Sequence, residues 1–564
     1  MELTPSAHLD TFARDHLPPA GQWPRLLFDL PSLAYPDRLN CGAELLDRTV
    51  ERFGADRPVF LDGEGGVWTY GELRERVDRI AHVLDGDLGV RPGNRVLLRG
   101  PTTPWLAACW LAVMKVGAVA VTVLAQQRAR ELAVMGEMAR CSHALCDVRA
   151  VDELVKAEVP GLRITPYGGD GPDDLLTLAI GKPERYEAVP TAADDVALIA
   201  FTSGTTGRPK GCMHFHRDVL AVADTFSAHV LRPEPDDVFA GSPPLGFTFG
   251  LGGLVVFPLR AGACAVLLEQ AGPQQLLAAI ERHRVSVLFT APTAYRVMLE
   301  ELDSPKHDGR PGHGPDLSSL RRCVSAGEHL PEATWEAWHK RTGLKLINGI
   351  GATELLHIFI SAADGEIRPG TTGRPVPGWQ ARVVSRNGTG TGLTDVPDGE
   401  EGLLAVRGPV GCRYLADPRQ TEYVHDGWNL TGDTYVREPD GYFRYVARAD
   451  DMIISAGYNI AGPQVEEALL AHPDVVEAAV VGRPDELRGR IVVAYAVVRD
   501  GVPRDAGTAT ALRAFVRARL APYKAPREIV FLDALPRTAT GKLQRFRLRD
   551  AEAGPPPAAP GGLK

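Results

Sequence analysis

A run of glycine, serine and threonine residues directly after a short apolar segment offers the clearest chemistry in this sequence. The run covers residues 202–211 and reads TSGTTGRPKG, and residues 196–201 before it are apolar. Glycines allow a backbone to fold closely around an anion, hydroxyl groups add hydrogen-bond donors, and Lys210 adds a positive charge. The pattern predicts a loop that binds a triphosphate, with a flexible surface turn as the simpler alternative. It is not a Walker A loop, which requires G-x-x-x-x-G-K followed by Ser or Thr.

Four further segments carry polar and small residues along the chain. Residues 348–354 read NGIGATE, residues 431–433 read TGD, residues 448–454 read RADDMII and residues 536–542 read PRTATGK. Together with residues 202–211, they resemble the ordered motifs of the superfamily of acyl-CoA synthetases, peptide-synthetase adenylation domains and firefly-type luciferases. The resemblance covers roughly residues 50–550. It implies an AMP-forming enzyme that uses ATP, Mg²⁺ and coenzyme A.

Such an enzyme must activate a carboxylate, which is a poor electrophile because it would have to expel oxide. Attack of the carboxylate on the α-phosphorus of ATP gives a mixed anhydride with AMP, and a thiol then displaces AMP. The site must hold two anions together and neutralise pyrophosphate, so positioning and electrostatic stabilisation should carry most of the rate. The resemblance implies phosphate contacts from Thr202, Ser203, Gly204, Thr205, Thr206, Gly207 and Lys210.

Other motif residues take their expected roles from the same resemblance. Thr353 would contact the α-phosphate, and Glu354 would hold Mg²⁺, a hard cation that prefers oxygen ligands. Asp433 would accept hydrogen bonds from the ribose hydroxyls, with Arg448 beside it. Taken alone, Glu354 could be a solvated loop carboxylate and Asp433 a turn residue. The adenine would be lined by Gly327, Glu328, Asn348, Gly349 and Ile350.

Lys542 is the expected catalytic lysine. Residues 538–541 before it include no bulky apolar side chain, so its ammonium could reach a ligand. By resemblance it bridges carboxylate and phosphate oxygens during adenylation, although a lone lysine would more simply lie on the surface. Asp450 matches the family's hinge, about which a small domain would swing between half-reactions. Gly457 would then allow close approach of the pantetheine arm, with a simple turn glycine as the alternative.

Aromatic and small residues together form the expected acid pocket. They suit a flat ring rather than a wide cavity. Residues 355–359, which read LLHIF, resemble those of benzoate- and 2-aminobenzoate-CoA ligases, and residues 5–14 do so less specifically. Thr248 and Phe249 stand where Ala and Tyr are typical of the benzoate pattern, which favours a substituted ring such as an amino- or hydroxybenzoate. The predicted lining residues are Phe247, Thr248, Phe249, Gly250, Ala326, Gly327, Ile350 and His357, the last of which could bond a ring substituent or simply pack.

Alternating helical and strand-like segments in the first part of the chain predict an α/β fold with largely parallel sheets. A capping box at residues 69–72 predicts the start of a helix. Dense turn signals after about Gly378, including Asn387-Gly388 and Asp426-Gly427, indicate a β-rich subdomain. We therefore predict a large N-terminal domain of two layered α/β subdomains plus a β-rich subdomain at residues 1–449, a small mobile α+β domain at 450–550, and a disordered tail at 551–564.

Composition narrows the class of protein. The chain of 564 residues has a formal charge of −9 and no long basic block, so no nucleic-acid partner is expected. Its eight cysteines are scattered without a C-x-x-C pair, which indicates buried free thiols in a cytoplasmic protein and no zinc site. The apolar stretch 105–125 contains Lys115 and Gly117, so it predicts a buried helix and strand rather than a membrane span. A homodimer is left open.

Three rival functions stand beside the aryl-CoA ligase. A free-standing adenylation enzyme would load an aryl acid onto a separate carrier protein and share only the first half-reaction. A luciferase-like oxygenase has no positive support. A degenerate nucleotide-binding or scaffold protein would have lost Lys542, Glu354 or Asp433, and all three are present. We predict activation of an aromatic carboxylic acid by ATP and transfer to coenzyme A, giving an aryl-CoA thioester, AMP and pyrophosphate.

Overall fold

In the computed structural model of the chain, the described residues are 3–63, 65–202, 209–303, 314–386, 392–455, 458–485, 489–538 and 543–549. Up to residue 202, the helices and strands are α1 (Phe12–Asp15), α2 (Cys41–Leu45), α3 (Asp47–Phe53), β1 (Pro58–Asp62), β2 (Val67–Thr69), α4 (Tyr70–His82), β3 (Arg95–Arg99), α5 (Pro104–Lys115), β4 (Val119–Thr122), α6 (Ala129–Met138), β5 (His143–Asp147), α7 (Val151–Val155), β6 (Arg163–Tyr167), α8 (Leu175–Ala179) and β7 (Val196–Thr202).

The middle of the chain continues the alternation of strands and helices. Its elements are β8 (Lys210–Phe215), α9 (His216–Val222), β9 (Val238–Gly241), α10 (Thr248–Leu251), α11 (Phe257–Ala261), β10 (Cys264–Leu267), α12 (Pro273–His283), β11 (Val287–Thr290), α13 (Pro292–Asp303), β12 (Arg322–Ser325), α14 (Glu332–Thr342), β13 (Leu346–Gly351), β14 (Ile358–Ser361), β15 (Arg374–Pro375) and β16 (Gln380–Arg386). A π-helical segment, Gly252–Val256, joins α10 to α11.

Short strands dominate the last part of the chain. Its elements are β17 (Leu393–Asp395), β18 (Glu401–Arg407), α15 (Gln420–Tyr423), β19 (Val424–His425), β20 (Trp428–Arg437), β21 (Phe443–Arg448), β22 (Ile453–Ser455), β23 (Tyr458–Ile460), α16 (Gly462–Leu470), β24 (Val475–Asp485), β25 (Gly489–Val498), α17 (Ala506–Arg517), β26 (Glu528–Phe531) and α18 (Arg545–Arg549).

Two large sheets form the layered part of the N-terminal domain. The six-stranded sheet has the order β6-β5-β3-β4-β7-β8, and the nine-stranded sheet has the order β15-β14-β13-β12-β11-β9-β10-β1-β2. In the six-stranded sheet, the neighbouring strands β6, β5, β3, β4 and β7 are parallel, and β8 pairs antiparallel with β7. In the nine-stranded sheet, the neighbouring strands β13, β12, β11, β9, β10 and β1 are parallel, and the outer strands β15, β14 and β2 are antiparallel. Every residue of β3, β4 and β5 is buried, because helices cover both faces of a parallel sheet. The predicted α/β layering is confirmed.

Helix α4 begins at the predicted capping box. The Thr69 hydroxyl accepts from the Glu72 N–H at 3.2 Å, and the Glu72 carboxylate accepts from the Thr69 N–H at 2.9 Å. The apolar stretch 105–125 forms the buried helix α5 and the strand β4, as predicted. Within the described ranges, no helix is both long and apolar enough to cross a bilayer.

A β-rich sheet and a small α+β domain follow the layered sheets. The third sheet has the order β17-β16-β18-β20-β19, with β21 added on β20. Asp426 and Gly427 form the predicted turn between β19 and β20, with φ of +50° and +76°. The turn signal at Asn387-Gly388 lies outside the described residues. The C-terminal domain has the three-stranded sheet β24-β25-β26 and the hairpin β22-β23, and its predicted boundary at residue 450 stays a prediction.

All eight cysteines are buried and free, as predicted. Burial raises the pKa of every one of these thiols, to about 12 for Cys141, Cys146, Cys264 and Cys323. No group of three or more His, Cys, Asp or Glu side chains among the described residues is arranged to hold a metal ion.

A buried lysine joins three helices of the N-terminal domain. Lys115, the last residue of α5, is fully buried and lies against Asp78 of α4 and Asp47 of α3. Its ammonium is 2.8 Å from the Asp47 carboxylate. Burial raises the pKa of Asp78, whereas the ammonium of Lys115 lowers it. Because Asp78 is also buried, its charge depends on this lysine for compensation.

The variant Lys115→Met should therefore lose on the order of 3–5 kcal/mol of stability, because it leaves a buried carboxylate without its cation. Urea unfolding followed by tryptophan fluorescence would measure this, since the eight tryptophans all lie between residues 23 and 428. The double variant Lys115→Met, Asp78→Leu removes the stranded charge and should recover most of the loss. An unchanged urea midpoint in the single variant would contradict this role.

Candidate active site

The hairpin of β7 and β8 carries both ends of the predicted phosphate-binding loop. Thr202, the last residue of β7, pairs with Lys210, the first residue of β8. Both side chains are partly exposed at the edge of the six-stranded sheet. The other predicted phosphate contacts lie outside the described residues, and these are Ser203, Gly204, Thr205, Thr206 and Gly207.

A lysine, a tyrosine and a glutamate form a polar cluster beside this hairpin. The Lys210 ammonium donates to the Tyr414 hydroxyl at 2.7 Å, and that hydroxyl donates to Glu354 Oε1 at 2.5 Å. Lys210 Nζ lies 3.4 Å from the same carboxylate oxygen. Glu354 is buried, at 7% exposure. A cation and a hard oxygen ligand are thus held together, which suits a phosphate chain with a divalent cation.

Two tyrosines line the buried side of this cluster. Burial, followed by the neighbouring Glu354 carboxylate, raises the pKa of Tyr414, so the phenol stays protonated and can donate. Burial and the Glu354 carboxylate also raise the pKa of Tyr423, and the Asp433 carboxylate raises it further. The Tyr423 hydroxyl is buried and has no hydrogen-bond partner among the described residues. An orphaned donor here fits an anionic ligand better than an empty site.

A buried histidine fixes the backbone that carries Thr353 and Glu354. These residues begin a 3₁₀ turn, Thr353–Leu355, directly after β13. His214 of β8 is fully buried, and its Nε2 lies 2.8 Å from the Thr353 carbonyl oxygen. Burial lowers the pKa of His214 to about 3, so the ring is neutral and Nε2–H donates to this carbonyl. The two predicted ligand residues are therefore tied to the hairpin that carries Lys210.

A second buried ion pair lies behind His214. Arg413, next to Tyr414 in the chain, is fully buried and pairs with Asp218 of α9. The Asp218 carboxylate also accepts from the Phe215 N–H at 2.9 Å, and the Arg413 guanidinium lies 3.9 Å from the centre of the Phe215 ring. Burial lowers the pKa of Arg413 and raises that of Asp218. Each charge thus needs the other, and their pairing fixes the segment that presents Tyr414.

The predicted adenine-lining residues lie at the carboxyl ends of two neighbouring parallel strands. Ser325, the last residue of β12, pairs with Asn348 of β13, so residues 326–328 and 349–350 emerge side by side. Ligands of open α/β sheets bind at such strand ends. Gly327 has φ of +89°, and a side chain there would meet no atom within 4 Å of its Cβ, so the position needs glycine for its backbone rather than for space. The Asn348 amide donates to the Thr371 carbonyl at 3.1 Å.

The predicted ribose residues face each other on two antiparallel strands. Asp433 of β20 pairs with Arg448 of β21, and Arg448 Nη1 lies 3.3 Å from Asp433 Oδ1. The same Nη1 donates to the Thr431 carbonyl at 3.0 Å. Asp433 is buried, so the adjacent guanidinium compensates a charge that would otherwise be costly. Arg448 therefore lies beside Asp433, and binding of the ribose by these residues stays a prediction.

An aromatic cluster surrounds His357. Its ring lies 4.5 Å from that of Phe257, 5.4 Å from Phe226 and 5.6 Å from Phe249, measured between ring centres. Burial lowers the pKa of His357 to about 3, so the ring is neutral. The Phe249 backbone lies near the ring, but neither ring nitrogen has a partner at hydrogen-bonding distance and angle among the described residues. The rings around His357 are therefore apolar, and the two nitrogens of His357 are the polar atoms that they enclose.

The remaining predicted pocket residues are divided between two elements. Phe247 precedes α10, whose residues Thr248, Phe249 and Gly250 are buried. Ala326 and Ile350 lie at the ends of β12 and β13, where Ala326 is buried and Ile350 is partly exposed. Phe249 is the member that contacts His357 directly.

A residue with a positive φ angle separates the polar cluster from the aromatic cluster. Leu356 has φ of +66°, which a non-glycine residue rarely adopts. The chain reverses there between β13 and the antiparallel β14. As a result, Glu354 faces Lys210 and Tyr414, whereas His357, three positions later, faces the phenylalanine rings.

The roles of all the predicted functional residues stay predictions, and three more of these residues are not described, wholly or in their side chain. Lys542 and Gly457 lie outside the described residues, and the side chain of Asp450 does as well. The residues around Lys542 are described on both sides. Arg537 forms an isolated antiparallel bridge with Leu543, and the Gln544 N–H donates to the Pro536 carbonyl at 2.8 Å. Lys542 therefore directly precedes Leu543, one of the two residues of this bridge.

Sequence analysis missed Tyr414 of the polar cluster and three residues that surround it, namely His214, Arg413 and Tyr423. A charged and an aromatic residue in the otherwise apolar or small segment 408–415 were the available signal for Arg413 and Tyr414. His214 carried no signal, because a histidine in an apolar strand is more often a core residue.

Comparison with known proteins gives matches over both parts of the chain. The model of the AMP-binding enzyme family matches residues 46–414, and that of the AMP-binding enzyme C-terminal domain matches residues 464–542. A benzoate–CoA ligase of Thauera aromatica is 36% identical over 533 residues, covering 92% of this chain and 98% of that protein. A 3-hydroxybenzoate–CoA ligase of Aromatoleum sp. (strain CIB) is 33% identical over 534 residues, covering 92% and 99%.

The fold is similar to that of solved structures. The anthranilate CoA ligase AuaEII, in complex with anthranoyl-AMP, has a TM-score of 0.85 at 31% identity, covering 93% of this chain and 99% of that one. The chain therefore belongs to the AMP-binding enzyme family, within the acyl-CoA synthetase superfamily.

Proposed function

We propose that this chain activates an aromatic carboxylic acid with ATP and transfers the acyl group to coenzyme A, releasing AMP and pyrophosphate. One observation carries the proposal: Glu354 and His357 lie three positions apart and face a polar cluster and an aromatic cluster, respectively. A phosphate chain and an aromatic ring could therefore be held next to each other, as adenylation requires. The relatives named for benzoate, 3-hydroxybenzoate and anthranilate support the same class of acid.

Lys210, Thr202 and Thr353 would contact the phosphates in this proposal, with Ser203, Gly204, Thr205, Thr206 and Gly207. Glu354 would hold Mg²⁺ through a carboxylate that Tyr414 orients. Mg²⁺ there would neutralise charge on the phosphates. Asp433 and Arg448 would bind the ribose, and Lys542 would join the carboxylate and phosphate oxygens once the small domain is docked.

The ring of the acid would lie against Phe249 and His357, beside Thr248. A neutral histidine offers one N–H donor and one acceptor nitrogen. A hydroxyl or amino group on the ring could satisfy the nitrogen that the protein leaves without a partner. We therefore propose an amino- or hydroxybenzoate as the preferred acid, ahead of benzoate itself.

The first experiment would measure pyrophosphate release with ATP and Mg²⁺ over a panel of carboxylic acids. The panel would contain benzoate, the aminobenzoates, the hydroxybenzoates, cinnamate and short fatty acids, each with and without coenzyme A. We expect turnover with a substituted benzoate and, in the presence of coenzyme A, a thioester identified by mass. Adenylate without thioester would instead favour loading of a carrier protein, and turnover confined to fatty acids would contradict the aromatic assignment.

The variant Lys542→Ala should lose adenylation by about 10²–10³-fold, because it removes a charge that stabilises the transition state. It should still convert a supplied acyl-adenylate to the thioester, since the second half-reaction does not need that charge. Lys524→Ala is a matched control in the same domain, where Lys524 donates to Gln464 at 2.7 Å. Adenylation at a near-normal rate in Lys542→Ala would refute the assigned role.

The variant Tyr414→Phe should raise the KM for Mg-ATP about tenfold, because it removes the hydroxyl between Lys210 and Glu354 but keeps the ring. The KM for the acid should change little, since Tyr414 does not face the aromatic cluster. Tyr70→Phe is a suitable control, because the Tyr70 hydroxyl is also buried and donates to the Ala263 carbonyl at 2.7 Å. An equal rise in both KM values would show that Tyr414 acts only on the fold.

A further inference from the structure

Arg537 lies five positions before Lys542 in the chain. It forms an antiparallel bridge with Leu543, the residue after Lys542. A group that holds Arg537 therefore also restricts where Lys542 can be presented. Arg537 Nη1 lies 3.0 Å from Glu328 Oε1. Glu328 follows β12 in the N-terminal domain and is one of the predicted adenine-lining residues.

Arg537 also continues into a longer row of charges. Its Nη2 lies 3.0 Å from Glu477 Oε2, and Glu477 belongs to β24 of the C-terminal domain. The other oxygen of that carboxylate, Oε1, lies 3.4 Å from Arg296 Nη2. Arg296 belongs to α13 of the N-terminal domain. The row Glu328–Arg537–Glu477–Arg296 thus alternates in charge, and we call it the ionic ladder.

The ladder crosses the boundary between the domains twice. Its two end members belong to the N-terminal domain and its two middle members to the C-terminal domain. All four side chains are at least three-quarters covered, with exposures of 17%, 25%, 24% and 20% along the row. Partly buried charges interact more strongly than exposed ones, because water screens them less.

Arg296 shows why the ladder depends on the docked domain. Burial lowers its pKa, and Glu477 is the strongest influence in the opposite direction. Its Nε is buried without a hydrogen-bond partner among the described residues. Movement of β24 away from α13 would remove the carboxylate that compensates this guanidinium. The ladder can therefore form in this arrangement of the two domains and is broken by rotation of the smaller one.

We propose that the ionic ladder is a latch that holds the C-terminal domain over the ATP site for adenylation and opens before the thioester step. Arg296 and Glu477 are then positioning residues, which act by fixing Arg537 and its bridge to Leu543, the residue after Lys542. This inference rests on the proposed two-step function. It predicts that weakening the latch slows the first half-reaction and spares the second.

The variants Glu477→Gln and Arg296→Gln should each slow acid-dependent ATP–pyrophosphate exchange about tenfold, by lowering the population of the docked arrangement. Conversion of a supplied acyl-adenylate to its thioester should keep the natural rate or exceed it. Arg296→Lys retains the charge and should restore most of the exchange rate. The double variant should be no slower than either single one, because both break the same row.

A matched control lies within the C-terminal domain. Glu528 of β26 pairs with Arg483 of β24 without reaching the N-terminal domain, so Glu528→Gln should change neither half-reaction. If Glu477→Gln left exchange at the natural rate, or slowed both half-reactions equally, the latch would be refuted.

A readout without turnover separates this inference from the proposed function. All natural cysteines are buried, so dyes can be placed selectively on Glu281→Cys of α12 and Ala514→Cys of α17, both exposed. The distribution of energy-transfer efficiencies should shift towards that of the undocked arrangement in the variant Glu477→Gln. The variant Glu528→Gln should leave this distribution unchanged. An unchanged distribution in Glu477→Gln would overturn the latch even if no acid were turned over.

Discussion

Three sheets meet at the carboxylate of Glu354, and the rest of the site depends on that meeting. Lys210 comes from the six-stranded sheet, Glu354 from the turn that follows β13 of the nine-stranded sheet, and Tyr414 from the segment between β18 and β19 of the β-rich sheet. A buried carboxylate is costly unless it is paired and hydrogen-bonded. Here both conditions are met by residues from other sheets, so the ion pair also fixes how the layers fit together.

Local sequence was sufficient to predict several of the secondary-structure elements. The capping box at Thr69 and the buried helix and strand of residues 105–125 depend on neighbours a few positions away, and both predictions are confirmed. The partners of these residues depend on distant parts of the chain. Tyr414 is 60 positions from Glu354, and His214 is 139 positions from Thr353. Such pairs follow from sheet packing, which no local pattern encodes.

The surroundings of His357 also depend on distant parts of the chain and could not be predicted from local sequence. Sequence placed His357 among candidate pocket residues, but left open whether it would bond a substituent or pack. The structure surrounds it with phenylalanine rings and leaves its nitrogens without partners among the described residues. That combination depends on the left-handed backbone at Leu356, which β-branched residues would tolerate poorly. Backbone strain at this single residue thus separates two chemically opposite environments within one turn.

The burial of every cysteine has a consequence for an enzyme that would handle a free thiol. Thiol–disulfide exchange requires an accessible thiolate, and its rate depends on the fraction of thiol that is ionised. The chain offers no exposed thiol, and burial raises the pKa of all eight. Coenzyme A disulfide, which accumulates when the cofactor is oxidised, would therefore find no partner on the folded protein. Under the proposed function, oxidation of coenzyme A would therefore remove the acceptor thiol without linking it covalently to the folded chain.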